Sequence, residues 1–269
     1  MFDSTPIRSN TNREVKRVRA ALRGKQPGLL ALEGERLVQD ALASGLRPEL
    51  ILCDEAHLAL AEAWHAAGLD ARLASDSVLA SLSELSSAPG VLALVPQPEE
   101  RAFDASLLDA ADPLLVVVAG IADPGNLGAL ARTAEAAGAA GMLVVQGGCK
   151  PWNPKALRGS MGSLLRLPLF EMRDCAAAWD ALCAAGFVHV LANTRGGLEP
   201  RVLDWGGKLA LWLTSETGEW PAELRERSSA PDARCVTIPL APGVESLNVT
   251  SAASVLLFAA GRTGTGERG

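Results

Sequence analysis

The chain of 269 residues, 48% hydrophobic with a net charge of −6, is long enough for two cores of ordinary domain size. No stretch approaches the roughly 18–20 uninterrupted apolar residues of a membrane helix, and the polar segment 1–19 has no signal-peptide core, so a cytoplasmic protein with no membrane partner is expected. The acidic balance counts against nucleic-acid binding, which draws on Lys and Arg, unless the cations are concentrated in one place.

They are. The first predicted element is a helix over about Asn10–Gly24, where Arg8, Arg13, Lys16, Arg17, Arg19, Arg23 and Lys25 face the single acid Glu14. Such a helix can lie along an RNA backbone, which makes Arg13, Lys16, Arg17, Arg19 and Arg23 candidate RNA contacts; a solvated helix face carries the same pattern. A short apolar strand follows at Leu29–Leu32, then a helix opened by Gly34-Glu35 and ended by Gly45. Leu50–Cys53 reads as a strand, Glu55–Ala67 as a helix stopped at Gly68, and Asp76–Leu82 as a short helix with a polar start. Val91–Val95 is a buried strand by its aliphatic run. Pro96-Gln97-Pro98-Glu99-Glu100-Arg101 reads as linker.

The second half restarts with Leu114–Ala119, apolar throughout like a central parallel strand. A helix (Asn126–Gly138), a strand (Met142–Gln146), a helix around Pro154–Leu165 and a strand (Leu167–Phe170) come next. A helix (Cys175–Ala185) and two strands (Phe187–Ala192, Lys208–Thr214) follow, then a helix from Pro221, the strand Cys235–Ile238 and a final helix, Asn248–Gly261. This alternation predicts an α/β fold with an open parallel sheet, preceded by a smaller α/β module. The expected divisions are a basic N-terminal extension (1–27), the small module (28–97), a linker (98–112), the parallel-sheet domain (113–262) and a disordered tail (263–269).

Cys53, Cys149, Cys175, Cys183 and Cys235 are odd in number and lack a CxxC pair. Together with His57, His65 and His189 they read as packing residues, and no metal is expected. Open parallel sheets bind ligands at the loops leaving the carboxyl ends of their strands. Four such loops are rich in small and polar residues: Asp123-Pro124-Gly125-Asn126-Leu127-Gly128 leading to Arg132, 155–162 leading to Arg166, 214–219, and 239–250. Asn126 and Arg132 could share one crevice. Lys155, Arg158 and Arg166 beside Gly159, Ser160 and Gly162 could hold a phosphate. Ser246-Leu247-Asn248 also suits ordinary helix capping. No G-x-G-x-x-G is present, which weighs against a dinucleotide-dependent oxidoreductase.

The segments IADPGNLGALARTAEAAGA, KALRGSMGSLLRLPL, LWLTSETGEW and IPLAPGVESLNVTSAASVLL, in this order, resemble the SpoU/TrmH family of RNA 2′-O-ribose methyltransferases, of the SPOUT superfamily. LEGERLVQDALASGL and APGVLALV are similar to the L30e-like RNA-binding domain that many members carry in front. The resemblance implies a deep trefoil knot, a homodimer with active sites built from both subunits, and S-adenosylmethionine held bent in the knot loops, leaving S-adenosylhomocysteine as product. By the same resemblance those loops carry Ala192, Asn193, Thr194, Thr214, Ser215, Glu216, Gly218, Ile238, Leu240, Ser246, Leu247 and Asn248.

Arg132 is then the group that activates the 2′-hydroxyl, oriented by Asn126. Glu216 and Asn248 hold the loops and ligands, and Ser246 is a supporting hydroxyl. The implied substrate is RNA, with 23S rRNA ahead of tRNA. The chain departs from the family's usual Gly-Ser-Glu-Gly-x-Gly-Leu at Thr214-Ser215-Glu216-Thr217-Gly218-Glu219-Trp220, which leaves a catalytically inactive RNA-binding member as the rival reading.

Overall fold

The computed structural model describes residues 2–83, 89–214 and 220–261. It divides into two units, Met1–Glu99 with Trp152–Arg158, and Glu100–Pro151 with Gly159–Gly269.

The first unit is built on four strands: β1 (Leu29–Glu33), β2 (Leu50–Cys53), β3 (Ala71–Leu73) and β4 (Val91–Pro96). Their order is β1-β4-β2-β3, with β4 antiparallel to both neighbours and β2 parallel to β3. Helices α1 (Arg13–Leu22), α2 (Glu35–Ala43), α3 (Leu58–Ala66) and α4 (Asp76–Leu82) surround it. In α1, Asn12 caps the first turn by accepting from the Glu14 N–H. Val15, Val18 and Ala21 recur at helical spacing and are buried with Leu50, Leu52, Val78, Leu79, Leu92 and Leu94. The basic helix is therefore a structural part of this unit's core.

Two local expectations change. The predicted helix Glu55–Ala67 begins as a 3-10 turn, Glu55–His57, opened where Asp54 accepts from the His57 N–H; α3 proper starts at Leu58. Strand β3, three residues long, had no pattern of its own to announce it.

The second unit holds a six-stranded, wholly parallel sheet in the order β10-β8-β9-β5-β6-β7. The strands are β5 (Leu114–Ala119), β6 (Gly141–Val145), β7 (Leu169–Met172), β8 (Val188–Ala192), β9 (Leu209–Thr214) and β10 (Ala233–Val236). β5 and β9 are adjacent at the centre and buried along their whole length, as their unbroken aliphatic runs require. Its helices are α5 (Pro124–Ala136), α7 (Ser163–Arg166), α8 (Cys175–Ala184), α9 (Ala222–Arg227) and α10 (Val249–Ala259), while most of α6 (Pro154–Ser160) belongs to the first unit. The single helix expected over Pro154–Leu165 is instead two. Met161 (φ 50°) and Gly162 (φ 88°) turn left-handed and break it. The strand expected at Leu167–Phe170 lies two residues later.

β10 has neighbours on both sides. One is β8; the other is the segment that continues from β8, where Leu198 bridges Val236 in parallel. The Leu198 N–H donates to Cys235 O (2.8 Å) and the Thr237 N–H to Leu198 O (2.9 Å). Gly197 lies so close that a Cβ there would stand 2.7 Å from the carbonyl carbons of Cys235 and Val236.

The core of this unit centres on Trp212, Trp179 and Phe170. Buried His189 stacks on Trp179 with 3.6 Å between ring centroids, and burial lowers its pKa to about 4. The Trp212 indole N–H donates to His189 Nδ1 (2.8 Å), so the neutral ring carries its proton on Nε2, which faces Cys183 Sγ at 3.2 Å. The thiol donates in turn to Asp232 (3.0 Å). Cys183, His189 and Asp232 lie within the 4.8 Å span that a metal could bridge. The three residues form a hydrogen-bond chain that runs from the Trp212 indole to Asp232.

Candidate functional site

The carboxyl ends of β8, β9 and β10 converge on one open cleft, the place where open parallel sheets bind ligands. Ala192, Asn193 and Thr194 follow β8; Leu213 and Thr214 end β9; Val236 and Ile238 leave β10. Leu240, Ser246 and Leu247 come from the long loop before α10, and Val249, Ala252 and Leu256 from one face of α10 itself. Of the proposed cofactor residues, the fold thus gathers Ala192, Asn193, Thr194, Thr214, Ile238, Leu240, Ser246 and Leu247 into one wall. Ser215, Glu216 and Gly218, with Thr217 and Glu219, lie outside the described residues.

The chemistry of the lining is selective. Among the described residues, its side chains are aliphatic apart from one amide and the hydroxyls of Thr194, Thr214 and Ser246, with no Lys, Arg or His. A phosphate would find no cation to pair with. A flat heteroaromatic ring would find apolar walls, and a cationic ligand would meet no like charge.

Beside the cleft, two helix N-termini are tied together. Asp123 caps α5 by accepting from the Asn126 N–H (2.9 Å), with Pro124 in the first turn. Asn248 caps α10 by accepting from the Thr250 N–H (2.9 Å), and its Nδ2 donates to Asn126 Oδ1 at 3.4 Å. The two asparagines named from sequence are therefore partners.

Arg132 sits elsewhere on α5. Six residues at about 100° each place it about 120° around the helix from Asn126, so a single helix face does not carry both. It shares its exposed side with Ala136 and makes none of the hydrogen bonds or ion pairs found among the described residues. It is not part of the cleft lining.

The basic residues separate into two groups. Arg17 pairs with Glu14 (2.8 Å) and Glu49 (2.6 Å), and Arg19 bonds the Asn10 carbonyl at 3.3 Å and reaches Ser81 at 3.3 Å. Arg158 stands 3.5 Å from the buried Glu33. Arg166 forms a two-pronged pair with Glu135 (2.7 Å on each oxygen) and also bonds the Met161 carbonyl, which braces the left-handed corner between α6 and α7. That pair, joined by Ser163, lowers the pKa of Glu135. Arg13, Lys16, Arg23 and Lys155, by contrast, are exposed.

Sequence reasoning missed Leu213, Val236, Val249, Ala252 and Leu256, the apolar floor of the cleft. The available signal was positional: Leu213 and Val236 lie within predicted strands that run into the loops, and Val249, Ala252 and Leu256 recur at helical spacing along the last helix.

Residues 113–258 match the model of the SpoU rRNA Methylase family, and residues 12–93 that of the MRM3-like substrate binding domain. The chain is 30% identical to an uncharacterized tRNA/rRNA methyltransferase of Synechocystis, across 97% of this chain and 94% of that one. It is 28% identical to the 23S rRNA (guanosine(2553)-2′-O)-methyltransferase RlmP of Bacillus subtilis, across 84% and 86% of the two chains. Among solved structures it is similar to an AdoMet-bound rRNA methyltransferase from Sinorhizobium meliloti, with TM-score 0.82, 26% identity and coverage of 96% and 98%.

Proposed function

The chain belongs to the SpoU rRNA methylase family, and from that premise we propose that it methylates a ribose 2′-hydroxyl of 23S rRNA using S-adenosylmethionine. The observation that carries the reading is the cleft at the ends of β8, β9 and β10, whose lining among the described residues is largely apolar and free of cationic side chains. Its aliphatic walls suit an adenine ring, its hydroxyls and strand-end backbone groups suit ribose and amino-acid polar atoms, and it does not repel a sulfonium. When bound there, the donor supplies a methyl group for in-line displacement by the 2′-oxygen.

The protein's own contribution is alignment and charge. Holding two reactants in line can remove about 7–11 kcal/mol of a barrier in favourable cases. Arg132 carries a guanidinium, which is a poor base; it stabilises the alkoxide developing at the 2′-oxygen. Asn126 and Asn248 hold the two helix starts beside the cleft, Ser246 adds a hydroxyl to its wall, and Glu216 keeps the role the family resemblance gives it, holding the loops and ligands.

The enzyme is a homodimer in this reading. α10 contains no charged residue, yet Val255 and Phe258 are 45% and 55% exposed. A second copy covering that face would bring Arg132 of the partner subunit to the cleft and explain why Arg132 stands free of it within one chain. The placement of β10 between β8 and the segment continuing from it supports a knotted C-terminal domain. The first unit serves as the RNA-binding domain, through the exposed cations Arg13, Lys16 and Arg23, and Lys155 adds a further exposed cation. The five free thiols suit a reducing, cytoplasmic setting, and no helix among the described residues is long and apolar enough to cross a membrane.

Calorimetry with S-adenosylmethionine, followed by label transfer to 23S rRNA or tRNA transcripts, tests the proposal. Saturable donor binding with transfer to 23S rRNA is expected. Absence of donor binding would instead identify an inactive member, the reading that the departure at Thr217–Glu219 favours.

A further inference from the structure

Trp220 has no part in the chemistry so far. It is 7% exposed and packs in the core with Trp179, Trp212 and Leu224. A buried indole N–H needs an acceptor. The one it has is Asn193 Oδ1, at 2.5 Å. Asn193 lies on the cleft between Ala192 and Thr194. Its main-chain N–H is already held by Val236 O (2.8 Å). Asn193 is thus held by the protein through both main chain and side chain, and the shorter of these ties runs to Trp220.

We infer that Trp220 is a positioning residue for the methyl-donor site: its indole N–H, through Asn193, fixes the 192–194 turn that forms one wall of the cleft. The inference rests on reading that cleft as the donor site. A residue that only filled the core would stabilise the fold without regard to Asn193, and the two roles are separable by measurement.

Trp220→Phe keeps an aromatic ring in the core and removes the N–H. Loss of one buried hydrogen bond at a site's wall should weaken S-adenosylhomocysteine binding about five- to tenfold. It should raise KM for the donor without a matching fall in kcat. In an Asn193→Ala background the same substitution should change Kd by less than about twofold, because the tie is already absent. An undiminished effect in that background, or equal binding by native protein and Trp220→Phe, overturns the inference while leaving the cleft as the donor site. A native protein that binds no S-adenosylhomocysteine overturns the reading of the cleft, and the role of Trp220 with it. Should Trp220→Phe fail to fold, the indole N–H resonance displaced by Asn193→Ala serves as the probe. In the native protein that resonance must shift on titration with S-adenosylhomocysteine; a stationary peak contradicts the inference.

Discussion

Replacing Gly197 by alanine should loosen the strand on which the donor site depends. The added Cβ would lie 2.7 Å from two carbonyl carbons, of Cys235 and Val236, and 2.8 Å from Cys235 O. All three are main-chain atoms, so no side-chain rotation can relieve the clash. If the segments stay together, overpacking costs about 1–3 kcal/mol. If they part, the bonds Leu198 N to Cys235 O, Thr237 N to Leu198 O and Gly197 N to Thr237 Oγ1 are at risk, worth about 1 kcal/mol each.

The two routes span about 1–3 kcal/mol, which is about 2–12 °C in Tm for a unit of this size. Because Asn193 and Ile238 flank the same contact, donor affinity should fall about tenfold, equivalent to about 1.4 kcal/mol. Gly196→Ala is the control: its φ of 81° costs about 1 kcal/mol of local strain, but its Cβ meets nothing within 4 Å. Urea denaturation and calorimetry on both variants decide the matter. A Gly197→Ala protein as stable as Gly196→Ala, with native donor affinity, would refute the reasoning.

Five further outcomes are expected. Arg132→Ala should lower kcat by about 10²–10³-fold with donor Kd within about twofold, since the side chain is exposed and outside the cleft; joint loss of donor binding would make it structural. Phe258→Glu should yield monomers by light scattering and abolish transfer, whereas an active monomer would dispose of the shared site. Neutralising Arg13, Lys16 and Arg23 together should weaken RNA binding and flatten its salt dependence, the log–log slope falling by about 0.7 for each single-strand phosphate no longer neutralised. Arg17→Ala should instead lower the stability of the first unit, its partners being Glu14 and Glu49. Glu135→Gln should cost about 1 kcal/mol at pH 7. Because hydrogen bonds from Arg166 lower the Glu135 pKa in the folded state, that stabilisation is complete above the unfolded carboxylate's pKa and fades as pH falls through the folded one. The native and variant unfolding curves should therefore converge in acid, and a gap that persists there would exclude the ion pair as its source.

What could be read from sequence follows from how far each signal is local. β2, β5 and α4 fall on the predicted residues because an apolar run or a polar helix start is bounded within a few positions. β3 escaped because three residues cannot display alternation, and the break at Met161 escaped because a left-handed Met has no signature in sequence and is braced by the Arg166 bond to its carbonyl. The cleft was legible as loops, not as walls: Leu213, Val236 and Leu256 look like any core aliphatics until the strand order β10-β8-β9 brings their ends together. Counting cations found the basic helix but not the partners of Arg17, Arg158 and Arg166, which lie 32, 125 and 31 residues away along the chain. The tie between Asn126 and Asn248, spanning 122 residues, is of the same kind.

The most direct test is the identity of the methylated atom. Unmodified 23S rRNA treated with the enzyme and labelled S-adenosylmethionine, then digested to nucleosides, should carry all label on a 2′-O-methylribose. Label recovered on a base, or none recovered from a preparation that binds the donor, would contradict the account.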